Sequence, residues 1–125
     1  MTDISDSMKG PVLLVEDIEG LIGPLEKALK QVDISVAAFT DSSLAMEEIR
    51  NGLNYRLAVI ASYPAGNSTG SEILHESKRI HPSIPVLVIT DYSENIPWAI
   101  DGVIRKPVKI PDFVGLVLYK LSLQR

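Results

Sequence analysis

The chain has no cysteine. That excludes a disulfide scaffold, thiolate metal sites and thiol catalysis, and it suits a reducing cytoplasm. Histidine is scarce too: His75 and His81 are the only two. They stand six positions apart, a spacing that does not put them on one helix face, so neither reads as a metal ligand or a catalyst. Basic residues are not in excess. Lys and Arg number 12 against 16 Asp and Glu, a formal net charge of −4. Non-specific nucleic-acid binding needs a basic face, so no direct contact with nucleic acid is expected. No apolar run approaches the ~20 residues of a membrane-spanning helix. Residues 1–10 are polar and acidic, without the basic start and apolar stretch of a signal peptide. They read as a disordered tail ahead of one domain over 11–125.

What the chain does have is short apolar runs. Leu57-Ala58-Val59-Ile60-Ala61 shows no polar alternation, contains β-branched residues and is stopped by Pro64 and a polar loop. Such a run reads as a strand buried on both faces of a parallel sheet. Val12-Leu13-Leu14-Val15, residues 34–39, residues 85–90 and residues 102–105 read as four more strands. Between them the period changes. Ile18, Leu21, Ile22, Leu25, Leu29 and Val32 follow a helical spacing, although Gly20, Gly23 and Pro24 predict a helix that begins late or is irregular before Leu25. Asp41 is placed to cap a helix running to Arg50 and closed by Asn51-Gly52. Ile73, Leu74, Ser77 and Ile80 mark a third helix ending near His81-Pro82. Pro111 opens a last helix, with Ile110, Phe113, Val114, Val117, Leu118 and Leu121 inward and Tyr119 and Lys120 outward.

Strands alternating with helices argue for a doubly wound α/β sheet of five parallel strands. Right-handed crossovers bring the ends of the first, third, fourth and fifth strands to one rim, where such sheets do their chemistry. That rim collects Glu16, Asp17, Ala61, Thr90 and Lys106. Paired carboxylates can hold a hard divalent cation, and a hydroxyl beside an ammonium can hold phosphoryl oxygens. The loop 66–70 lacks both G-x-G-x-x-G and a Walker lysine, so a flavodoxin-like or nucleotide-binding role is the weaker reading.

Three motifs carry a family resemblance. Val12-Leu13-Leu14-Val15-Glu16-Asp17, Pro85-Val86-Leu87-Val88-Ile89-Thr90 and Gly102-Val103-Ile104-Arg105-Lys106-Pro107 resemble the first, fourth and fifth strand motifs of the CheY-like receiver domain of bacterial response regulators. The resemblance runs from about Val12 to the end. It implies strand order 2-1-3-4-5. It also implies that Glu16 and Asp17 match the acidic pair that binds Mg²⁺, Thr90 the hydroxyl that reports a phosphoryl group, and Lys106 the lysine that pairs with it.

The chain departs from that pattern in four places. The phosphoacceptor Asp of the family falls on Ala61, or on Ile60 if the spacing to Pro64 is kept. The following loop is lengthened. Val103 stands where an aromatic is usual, three residues before the lysine. Thr90 and Lys106 are only 106 − 90 = 16 positions apart, and Pro97 interrupts them, so the fourth helix, the one between the fourth and fifth strands, is expected to be shortened or lost.

These losses predict a pseudo-receiver. It is a signalling module of a two-component phosphorelay that is not an enzyme and works without aspartyl phosphorylation, through protein–protein interaction. No cofactor is expected, and Mg²⁺ binding at Glu16 and Asp17 should be weak or absent because the third carboxylate is gone. Expected partners are other signalling proteins or an output domain in the same chain, with no membrane contact. The interaction surface predicted from local composition is Tyr92, Ile96, Pro97, Trp98 and Ile100. The competing reading of those side chains is that they cover the sheet where the missing helix would lie. A displaced acceptor would have to be Ser62, Asp91 or Asp101. A serine cannot form an acyl phosphate, and Asp91 is on the wrong strand for the family's in-line transfer.

Overall fold

The computed structural model describes residues 10–16, 21–64, 66–91 and 95–124. Residues 1–9 of the tail expected over residues 1–10, the second acidic residue Asp17, the helical position Ile18 and the aromatic Tyr92 lie outside the described residues.

The elements alternate along the chain: β1 (Val12–Val15), α1 (Ile22–Gln31), β2 (Val36–Phe39), α2 (Ser42–Arg50), β3 (Leu57–Ala61), α3 (Gly70–Ile80), β4 (Val86–Asp91), β5 (Val103–Lys106) and α4 (Ile110–Ser122). The strands form one parallel sheet in the order β2-β1-β3-β4-β5. The three central strands, β1, β3 and β4, are buried almost throughout because both faces are covered. Strand alternation divides their side chains into two cores. Leu13, Val15, Ala58, Ile60, Val86 and Val88 pack under α2 and α3. Val12, Leu14, Leu57, Val59, Leu87 and Ile89 pack under α1 and α4.

The local chemistry explains most boundaries. Asp41 caps α2, its side chain accepting from the N–H groups of Ser43 and Leu44. Thr69 and Glu72 form a reciprocal capping box on α3. Helix α1 begins at Ile22, earlier than Gly23 and Pro24 suggest. Pro24 occupies the first turn, where a missing N–H costs nothing, and the Leu25 N–H already reaches the Leu21 carbonyl at 3.1 Å. Strand β2 starts at Val36 rather than Ile34. Ile34 belongs to the turn after α1, where its N–H bonds the Leu29 carbonyl and its side chain is buried. Leu118, expected inward, is 43% exposed, while Phe113 and Val117 fill the core from α4.

The connection from β4 to β5 contains no helix among the described residues. The Ala99 N–H bonds the Ile96 carbonyl and the Ile100 N–H bonds the Trp98 carbonyl, which makes tight turns. Ile96 is buried, and half-buried Trp98, Ala99 and Val103 pack on the α2/α3 core. Burying one such apolar side chain contributes roughly 2 kcal/mol, so this loop closes sheet surface that a helix would otherwise cover. Pro97 is exposed and Ile100 is 75% exposed. No helix among the described residues is long and apolar enough to cross a membrane.

Candidate functional site

Register places the rim residues. Val15 pairs with Ile60, so Glu16 and Ala61 come level one position further along. Ala61 pairs with Ile89 and the Ser62 N–H bonds the Ile89 carbonyl at 2.9 Å, which brings Ser62 level with Thr90. Alternation then sorts the side chains by face. Glu16, Ala61 and Lys106 continue the faces of Leu14, Val59 and Ile104, on the α1/α4 side. Ser62 and Thr90 continue those of Ile60 and Val88, on the α2/α3 side.

On the first side, Lys106 Nζ lies 3.8 Å from Glu16 Oε1. The Glu16 side chain is fully buried and that of Lys106 is 23% exposed. A buried carboxylate is costly without a compensating cation, and Lys106 supplies one. Ala61 brings only a methyl group to the same level. On the other side, the buried Ser62 hydroxyl donates to Thr90 Oγ1 at 3.2 Å. This hydroxyl pair was not anticipated from the sequence. It depends on the β3–β4 register, which no local pattern states. The Lys106–Pro107 peptide bond that follows β5 is cis.

The loop after β3 is tied down rather than loose. The Asn67 N–H donates to Ser43 Oγ at 2.9 Å and the Ser68 N–H to Ser42 Oγ at 3.0 Å, both at the start of α2. The Gly70 N–H bonds the Ser62 carbonyl, and a Cβ at Gly70 would collide with the Ala61 carbonyl. The start of α3 can therefore sit directly on the end of β3 only because residue 70 is glycine.

The described residues do not fit a Mg²⁺ site. Among them Glu16 offers one carboxylate, which already faces an ammonium, and Ala61 offers no side-chain oxygen. No group of three or more His, Cys, Asp or Glu able to hold a metal occurs among the described residues.

The other carboxylates weighed as acceptors stand apart from this pocket. Asp91 ends β4, exposed, and its carbonyl accepts from Arg105 Nη1 at 3.2 Å. Asp101 is at the opposite, amino end of the strands, where its carboxylate accepts from the Val86 N–H at 2.9 Å and lies 2.6 Å from Lys78 Nζ. Burial alone would raise its carboxyl, but the Lys78 ammonium and the Val86 N–H outweigh burial and hold it below the usual range. Val103 is half-buried on β5, paired with Val88. Of the residues suggested as an interaction surface, Ile96 and Trp98 are turned to the core while Pro97 and Ile100 face solvent.

The sequence matches no family model and no curated protein. The likeness lies in structure. A CheY-like receiver domain protein from Methanospirillum hungatei superposes with a TM-score of 0.81 at 18% identity, covering 92% of this chain and 95% of that one. The receiver domain of NtrX from Brucella abortus gives a TM-score of 0.78 at 21% identity, covering 90% and 99%. The N-terminal domain of a response regulator/sensory box/GGDEF three-domain protein from Carboxydothermus hydrogenoformans gives 0.78 at 18% identity, covering 90% and 94%. Against the longer NtrX chain solved with ADP, this chain spans 28% of the length. The sheet order, the rim and these superpositions together establish that the chain has the fold of CheY-like response-regulator receiver domains.

Proposed function

We propose that this chain is a cytoplasmic pseudo-receiver. It is a signalling module of a two-component or related phosphorelay that acts through protein–protein contact and takes no phosphoryl group on aspartate. One observation carries the reading. At the level of Glu16, where the family's acceptor would stand on β3, the residue is Ala61, and Lys106 is within 3.8 Å of Glu16. An acyl phosphate needs a carboxylate at that point, and a methyl group cannot attack phosphorus. The Ser62–Thr90 bond supports the same reading, because it directs the Thr90 hydroxyl toward β3 on the face away from Ala61 and Lys106.

In this reading the pocket is structural. Glu16 and Lys106 compensate each other across the β1 and β5 ends, and the hydroxyl pair joins β3 to β4. The rim is then held in one arrangement, and signalling depends on whether a partner is bound. The test is incubation with a small-molecule phosphodonor and Mg²⁺, followed by intact mass. The expected spectrum shows no added phosphoryl group. A hydroxylamine-sensitive adduct on any residue would defeat the proposal.

A further inference from the structure

We infer that the outer edge of β2 joins the same edge of a second copy of this chain, antiparallel across a twofold axis, so that two sheets become one. The inference concerns assembly, goes beyond the signalling role proposed above and does not depend on it.

The two edges of the sheet differ. Among the described residues, β2 pairs with β1 alone and β5 with β4 alone. Strand β5 includes Arg105 and Lys106, and charge of this kind commonly guards an edge. Strand β2 is Val36-Ala37-Ala38-Phe39, and residues 34–40 contain no charge, no proline and no glycine. A wholly apolar run belongs to a strand with neighbours on both sides. Here all four residues are only half-buried, whereas β1 and β3 are buried throughout. One neighbour is missing, and no residue of the strand would repel it.

The backbone is set for that neighbour. The Val12 N–H donates to the Ser35 carbonyl at 2.9 Å and the Glu16 N–H to the Phe39 carbonyl at 3.1 Å. Successive residues of a parallel strand turn their backbone groups to opposite sides. Ser35, Ala37 and Phe39 therefore face β1, and Val36 and Ala38 direct N–H and C=O outward, with Thr40 next in the series. No other described backbone group bonds them.

The edge is complementary to itself, and charge selects the register. A twofold axis at Ala37 would set Asp33 opposite Asp41. With the axis at Ala38, Asp41 falls opposite Ser35 and no like charges meet. That register makes hydrogen-bonded pairs of Ala38 with Ala38 and of Val36 with Thr40. It sets Phe39 opposite Ala37, a large side chain against a small one, on the α2/α3 side.

The probe is the chain itself. Sedimentation from micromolar to millimolar concentration should show a reversible monomer–dimer equilibrium. The pairing contains no ion pair, so raising the salt should leave the equilibrium unmoved. Hydrogen exchange at the Val36, Ala38 and Thr40 amides should slow as concentration rises. Ala38→Pro removes an N–H that each copy donates to the other, a change an edge strand tolerates, and should weaken dimerisation by about tenfold or more. Because the chain has no cysteine, Ala38→Cys introduces a single thiol. Opposed residues of a hydrogen-bonded antiparallel pair have Cα atoms about 5.5 Å apart, within disulfide reach, so oxidation should link two copies at position 38. Val36→Cys, which faces Thr40 in this register, should not link. The inference is overturned if the chain stays monomeric at millimolar concentration, if a dimer forms without protecting those three amides, or if Val36→Cys links as readily as Ala38→Cys. Protection of the same amides that does not vary with concentration would assign the edge to a segment of the same chain and overturn it equally.

Discussion

Glu16 and Lys106 are where a single side chain bears most on this molecule. The carboxylate is fully buried and its ammonium neighbour is 3.8 Å away. Removing Lys106 leaves a buried negative charge with less compensation, a loss on the order of 3 kcal/mol in comparable buried pairs. Lys106→Ala should therefore destabilise the chain by that order in urea unfolding. Glu16→Gln in the same background should restore part of it, because the charge itself is gone. Effects that simply add in the double-mutant cycle would mean that the two groups do not act together. The Ser62–Thr90 bond is smaller in scale. Ser62→Ala should cost about 1 kcal/mol, the net worth of a buried hydrogen bond between neutral groups. Both residues of the ion pair were legible as rim residues from strand ends alone. The hydroxyl pair was not, since Ser62 follows its strand and gains meaning only from the β3–β4 register.

At the scale of elements, the β4–β5 connection shows what spacing can and cannot tell. Sixteen positions with Pro97 among them predict a helix shortened or lost, and the described residues form turns instead. Composition alone could not decide whether Trp98 covers the sheet or meets a partner. The structure packs it, half-buried, on the α2/α3 core beside buried Ile96. Acrylamide should quench Trp98 only partially, and Trp98→Ala should cost about 2 kcal/mol of stability. Full quenching with no loss of stability would return the residue to the interaction surface. Asp101 was invisible as a structural residue, because its partners Lys78 and Val86 are distant in sequence. Its carboxyl is held below the ordinary range, so its contribution is complete above the unfolded value of about 3.9 and is lost as pH falls through the folded value. The stability gap between the chain and Asp101→Asn should be level near neutrality and should close as the pH drops below about 4. Urea unfolding across a pH series checks this, and a gap that stays constant into acid would refute the staple. Glu76 follows the same sign. Arg79 and then Arg50 lower its carboxyl to about 2, joining α2 to α3 at the surface.

At the scale of the whole molecule, buried strand runs, helix caps and punctuation by Gly and Pro were enough to lay out the alternating order of elements. Strand order came from the family resemblance, and the observed sheet has that order. The differences fall where tertiary contact overrides local pattern: Ile34 in a turn, Leu118 toward solvent, and α1 starting ahead of its proline. A pocket that keeps its basic and acidic flanks but presents Ala61 between them is the centre of the account. The consequence proposed above is a domain with one resting arrangement, indifferent to phosphodonors. The most direct measurement is the amide spectrum of the intact chain with and without excess phosphodonor, with Mg²⁺ present throughout. The account predicts superposable spectra, with Thr90, Val103 and Lys106 unmoved. A second set of resonances at those three residues, removed again by hydroxylamine, would contradict it.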